Sequence, residues 1–258
     1  MKKFIFSILL SSLIIFAFTQ EDLSNSLKPQ QGNFSFEVNF TPFNLGEPID
    51  ISGFRGRVFV DENLALRTGI SFSNIKNEFE TPANTGDDVI LFDKTLEKAT
   101  VFGINLGLEY HFLKSKRISP FAGFLIGYEN KNSSAEYEEY YQDYIYPEPD
   151  MTYNLRTTEY DNAWRGIEYY NNQGFPYTDY IATERAYSMF SFNAVLGTDV
   201  YIVKHLYMGF EIGFGYDNLK YKEVEVKIDG QLEEKYPEGK ENLTSFKVNN
   251  AIRLGVWF

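Results

Sequence analysis

The chain has no cysteine and only two histidines among its 258 residues. Without cysteine there is no disulfide framework, no thiolate metal centre and no lipid-modified anchor residue behind an export signal. Two histidines leave little for the general-base chemistry that acyl transfer and hydrolysis require. Positive charge is also scarce. The 24 Lys+Arg against 36 Asp+Glu give a formal net charge of −12 and a pI near 4.7, which disfavours the basic footprint of a nucleic-acid binder. Long hydrophobic runs are missing as well. Past the N-terminus no stretch approaches the roughly 20 apolar residues that a spanning helix needs.

The single apolar run lies at the start. Lys2 and Lys3 precede Phe4 to Phe18, and the small residues Ala17 and Thr19 stand just before Gln20. This pattern predicts a secretory signal peptide over 1–19 rather than an anchor helix, because the run is short. The polar stretch 20–31 is expected to be a periplasmic N-terminal tail.

What the sequence has in abundance is aromatic residues, 17% of the chain with 24 Phe and 19 Tyr. Such side chains fit a pleated surface. From residue 32 onward they recur with a period of two. Phe34, Phe36, Val38 and Phe40 alternate with Ser35, Glu37 and Asn39. Phe54, Val58 and Val60 oppose Arg55 and Arg57, and Leu64, Leu66, Ile70 and Phe72 oppose Ala65, Arg67, Gly69 and Ser71. The same alternation runs through Phe102–Phe112, Ala122–Tyr128, Phe190–Ile202, Leu206–Tyr216 and Phe246–Phe258. These segments predict an all-β chain of eight antiparallel strands, each with an apolar face and a face of Gly, Asn and charges. Lipid-facing apolar residues alternating with polar interior ones are the pattern of a transmembrane β-barrel, and closure is required because no sheet edge can be left bare in hydrocarbon. A soluble β-sandwich is the competing reading, with the apolar faces turned inward. The connections favour the barrel. Short ones near Asp61–Asn63, Leu113–Ser119 and Val203–His205 alternate with long ones at 42–50, 74–98, 131–184 and 222–242. This is the asymmetry of short periplasmic turns and long external loops in an up-and-down barrel.

With these features the chain resembles the small outer-membrane-protein β-barrel family (OmpX/OmpA-like barrels). The resemblance rests on the signal peptide, the alternating strands and the ending Leu254-Gly255-Val256-Trp257-Phe258. It covers residues 32–258 and implies a location in the bacterial outer membrane, with outer-membrane lipid as surroundings. In that family an aromatic C-terminal residue is the signal read by the barrel-assembly machinery, which implies that role for Phe258. No further domain follows Phe258 in this sequence, so a peptidoglycan-binding role is not expected.

Three places are candidates for function. Inward parity gathers Glu37, Arg55, Arg57, Arg67, Glu109, Asp199, Glu211 and Arg253. These residues read either as a polar channel for small solutes or ions, or as a paired network filling an interior just wide enough for side chains. The long connection 131–184 is rich in Tyr, including Tyr137, Tyr140, Tyr141, Tyr144, Tyr146 and Tyr153, interleaved with acids. Tyr gives large contact area with a polar tip, so this segment is expected to be a surface loop recognising an extracellular protein or glycan, or else a cap over the mouth. Both histidines, His111 and His205, fall at the short-turn end, away from the long loops. No catalytic site is therefore expected, and no cofactor or metal, since the acidic loops lack EF-hand spacing. The sequence predicts a structural or surface-interaction barrel. A narrow channel or an accessory component of an export machine are the alternatives.

Overall fold

Period-two alternation resolves into a closed ring of eight antiparallel strands carrying a taller sheet on one side. The computed structural model describes residues 27–40, 49–83, 91–112, 115–144, 151–164, 169–170, 176–177, 184–248 and 252–258. The predicted signal peptide and most of the predicted tail lie outside them. Every regular element among the described residues is a strand. In chain order these are β1 (Phe34–Phe40), β2 (Ile49–Phe59), β3 (Leu64–Pro82), β4 (Phe92–His111), β5 (Ile118–Tyr144) and β6 (Met151–Asp161). Four short strands follow: β7 (Ala163–Trp164), β8 (Tyr169–Tyr170), β9 (Pro176–Tyr177) and β10 (Glu184–Arg185). The chain ends with β11 (Tyr187–Val203), β12 (Leu206–Tyr221), β13 (Val224–Ile228), β14 (Gln231–Tyr236), β15 (Gly239–Val248) and β16 (Ile252–Trp257).

The ring runs β1-β2-β3-β4-β5-β11-β12 and returns to β1 through β16. β15 and β16 share the eighth place. β16 pairs with the lower part of β12, Leu206–Gly209, and β15 with the upper part, Ile212–Tyr221. The seam is tied at the C-terminus, where the Phe258 N–H donates to Phe34 O at 2.9 Å and the Phe34 N–H to Phe258 O at 3.1 Å. The two rings stack with centroids 5.2 Å apart. Closure runs through β16, where the backbone groups of β1, β16 and lower β12 satisfy one another, while β15 pairs with β12 alone among the described residues.

The burial pattern is inverted relative to a soluble domain. Phe54, Leu66, Phe72, Leu106, Phe124, Leu196 and Ile212 point outward and are exposed, Phe54 at 58%. Glu109, Asp199 and Arg253 point inward and are 0% exposed. The alternation therefore sorts side chains as the sequence predicts, with the greasy face outside.

Two expectations are corrected. The long connections at 74–98 and 131–184 are largely strand, since β3 continues to Pro82, β4 starts at Phe92, and β5 runs to Tyr144 before β6 pairs back along it. Strand ends were placed where the apolar face stops. Backbone pairing continues further, through stretches such as Lys76–Glu80 with polar residues on one face. The long connection 222–242 is likewise built of strands, holding a hairpin. Asp229 and Gly230 have φ of 50° and 78°, as a tight type I′ turn requires. That hairpin, β13–β14, nevertheless turns aside and pairs with β6 instead of extending β12 and β15.

Near Lys131 strand β5 exchanges partners. Up to that point it pairs with β11; from Ser134 it pairs with β6. The upper sheet β3-β4-β5-β6-β13-β14 thus rises from one side of the ring. Its concave face has its own core of Ala99, Ala135, Tyr160, Ala163, Trp164, Val224 and Val226, with Tyr137 and Tyr236 packed against it.

Candidate functional site

The ring interior is occupied by charge. Arg57 on β2 is fully buried and sits among three carboxylates. Its Nη1 is 2.5 Å from Asp199 Oδ2, its Nε is 3.0 Å from Glu109 Oε2, and its Nη2 is ion-paired with Glu37. Arg67 lies directly across from Arg57 in the strand register. This like-charged pair is bridged by Glu109, whose Oε1 is 2.6 Å from Arg67 Nη1. Arg67 also forks onto Glu211 at 2.6 and 3.2 Å. Arg253 closes the circuit, reaching Glu37 at 3.2 Å, Asp199 at 3.1 Å and Glu211 at 3.6 Å. Arg55 stands at the margin, with its Nη1 buried and lacking a hydrogen-bond partner among the described residues. The eight predicted interior residues are four cations and four anions, so the network is formally neutral. Buried charge is tolerated only when paired in this way.

Aromatic residues pack the network from below. The Tyr207 hydroxyl donates to Glu37 Oε1 at 2.7 Å and lies 3.1 Å from Ser35 Oγ. Arg57 and Arg253 lie over the Phe121 ring, 5.3 and 5.1 Å from its centroid. Lower still, Tyr201, Tyr207 and Trp257 form a buried cluster against which Leu27 packs. The inward-facing Trp257 thus fills the short-turn mouth as its parity predicts, helped by a residue of the N-terminal tail. Sequence reasoning missed Tyr201, Tyr207 and Phe121, although each sits on the same inward parity as the charges. Glycine makes the room. Gly255 is the cross-strand partner of Tyr207, and a Cβ on it would stand 2.1 Å from the ring. A Cβ on Gly209 would stand 2.7 Å from Arg253 Nη2.

Both histidines are buried at this lower end. His111 Nδ1 is 2.9 Å from Ser119 Oγ, and His205 Nδ1 is 2.8 Å from Trp257 O. Each is engaged by a neighbouring group, and neither reaches the upper sheet.

The short strands join the upper sheet to the top of the ring. β7 pairs with β10, the Ala186 N–H donates to Asn162 O, and the Lys222 N–H to Ala186 O. Arg185 Nη2 donates to the carbonyls of Lys222 at 2.6 Å and Pro237 at 2.7 Å, and Lys131 binds Glu184 at 2.5 Å. A polar recess of about 520 Å³ remains beside this junction, lined by Ser133, Asp161, Asn162, Lys222, Glu223, Glu225 and Glu238. Among the described residues no cluster of His, Cys, Asp and Glu has the arrangement of a metal site.

The tyrosines expected on a display loop divide differently. Tyr137 belongs to the concave core and meets Tyr160 edge-on at 5.7 Å. The Tyr140 N–H donates to Asp93 Oδ1 at 2.8 Å, and the Tyr141 ring holds Arg156 at 4.8 Å. These three and Tyr153 are half-buried on paired strands, not on a free loop. The Tyr144 backbone ends β5, and Tyr146 lies outside the described residues.

Comparison with protein-family models, curated proteins and solved structures finds no match for this chain.

Proposed function

We propose that this protein is an integral outer-membrane β-barrel with a sealed interior, acting as a structural or surface-interaction protein that presents its upper sheet outside the cell. The observation that carries this reading is the inversion of burial: an apolar exterior around a neutral, largely buried charge network. Exposed apolar patches beyond a few hundred Å² mark interaction surfaces, and this one circles the ring. Its height suits a bilayer. Outward apolar residues run from Phe102 to Phe112 along β4, about 33 Å of strand and about 25 Å of height at a tilt near 40°. The N-terminal Lys2-Lys3 pair and apolar run support export. The resemblance to OmpX/OmpA-like barrels and the terminal Phe258 support delivery by the barrel-assembly machinery.

The paired charges and the filled short-turn mouth argue for a barrel that does not conduct. Gel mobility of boiled and unboiled protein, together with protease shaving of intact cells, tests the proposal. A compact unboiled band and cleavage confined to the upper sheet are expected. Unshifted mobility with cleavage throughout the chain would overturn the membrane reading. Steady single-channel conductance in planar bilayers would replace the sealed barrel with a narrow channel.

A further inference from the structure

Just above the apolar belt, the outward face carries an ordered set of lysines. On β3 the outward positions read Phe72, Asn74, Lys76, and their direct partners on β4 read Phe102, Thr100, Lys98. On β12 they read Tyr216, Asn218, Lys220, opposite Thr244, Asn242, Lys240 on β15. Moving up from the belt on each of these four strands, the first formal charge on the outward face is a lysine. In a chain with 36 acids and 24 bases, composition alone would favour carboxylates there.

The lysines are also paired with each other. Lys76 faces Lys98, and Lys220 faces Lys240, in direct cross-strand register. All four are exposed. Like charges directly opposite destabilise a sheet unless a counter-charge joins them. Lys76 has Glu78 at 2.6 Å. Lys98, Lys220 and Lys240 have no ion-pair partner among the described residues. The rung beneath Lys220–Lys240 is rigid, because the Tyr216 hydroxyl and Asn218 Nδ2 both donate to Asn242 Oδ1, at 2.9 and 2.6 Å.

The height fits one occupant. From Tyr216 to Lys220 is about 13 Å of strand and about 10 Å of height at that tilt. The headgroup layer extends about 5–8 Å beyond the hydrocarbon, within reach of a lysine side chain bent back toward it. We infer that Lys220 with Lys240 clamps the phosphate groups of lipids in the surrounding leaflet, the Lys76–Lys98 rung already carrying Glu78 as its counter-charge. The inference rests on the membrane reading above, since the clamp is continuous with the apolar belt and has its purpose only if lipid is there.

The test uses the full-length protein in nanodiscs of phosphatidylcholine doped with a bis-phosphorylated glucosamine lipid, or with the same lipid after enzymatic dephosphorylation. Co-retained lipid is counted by native mass spectrometry. Enrichment of the phosphorylated form is expected, falling roughly 30-fold in the K220Q/K240Q variant. A K227Q/K235Q control, on the hairpin away from the belt, should retain it unchanged. Equal retention by K220Q/K240Q and the unaltered protein, or equal retention of the dephosphorylated lipid, would overturn the clamp. Displacement by millimolar inorganic phosphate would assign the pair to a free anion and overturn a lipid clamp. Failure to enter nanodiscs, with no gel-mobility shift, would instead overturn the barrel reading and the clamp with it.

Discussion

Replacing Arg57 with methionine removes one cation from the centre of the ring and keeps most of its volume. The side chain touches Glu37, Glu109 and Asp199, all buried, and none can turn to solvent without leaving its strand register. Each close pair is worth about 4 kcal/mol of gross attraction at an effective dielectric near 20, and desolvation offsets most of the sum. What the substitution exposes is the penalty of an unbalanced buried carboxylate, about 3–5 kcal/mol. A urea titration in lipid or detergent, following the compact unboiled gel band, should show a midpoint lowered by about 1.5–2 M for a slope of about 2–3 kcal/mol per molar. The double change Arg57→Met with Asp199→Leu restores neutrality and should cost less than the sum of its single changes by about 1–3 kcal/mol. A loss under about 1 kcal/mol for Arg57→Met would mean that water already hydrates these carboxylates. The interior would then be wet, and the sealed-barrel argument would fail.

Four further outcomes are expected. Gly255→Ala should cost about 2–3 kcal/mol, because its Cβ would enter the Tyr207 ring. Gly56→Ala, whose Cβ meets nothing nearer than 3.6 Å, should change stability by less than about 1 kcal/mol in the same titration. Trp164→Ala empties part of the concave core and should cost the upper sheet about 3–5 kcal/mol locally. Rapid proteolysis within β6 and β13 while the compact gel band persists would confirm it; coupled loss of both would refute it. Hydrogen bonds that Lys235 donates to Glu225, then Glu223, raise its pKa above the ordinary 10.5. A raised pKa stabilises fully below 10.5 and loses that contribution as pH climbs through the folded value. Susceptibility of β13–β14 to an alkaline protease should rise above that pH in the unaltered protein, and K235Q should abolish the step.

The ring was legible because its physics repeats every second residue. Phe102 to Phe112 against Gly103, Asn105, Gly107 and Glu109 fixes both faces of β4, and parity alone assembled the interior charges on one side. The same parity held Tyr207 and Phe121, which were overlooked because a lone aromatic among polar neighbours does not announce a contact with arginine. Gly255 was legible only as a small residue; its use as the seat of the Tyr207 ring depends on register, which alternation does not supply. The upper sheet was illegible for another reason. Beyond Asn74 and Asn130 polar residues join the outward face, so the signal vanishes while the hydrogen-bond ladder continues. The pairing of β13 with β6 joins segments more than sixty residues apart, and no local pattern encodes such a choice.

The interior network has a bearing on how the chain matures. Its members come from β1, β2, β3, β4, β11, β12 and β16, so the full network forms only when the first and last strands of the ring meet. Arg253, on β16, pairs with both Glu37 near the front of the sheet and Asp199 near its back. Until the ring closes, Glu37 and Asp199 each lack one of their cationic partners. Opening the seam would strip Glu37 and Asp199 of that partner inside a buried site, so the closed ring should be slow to open.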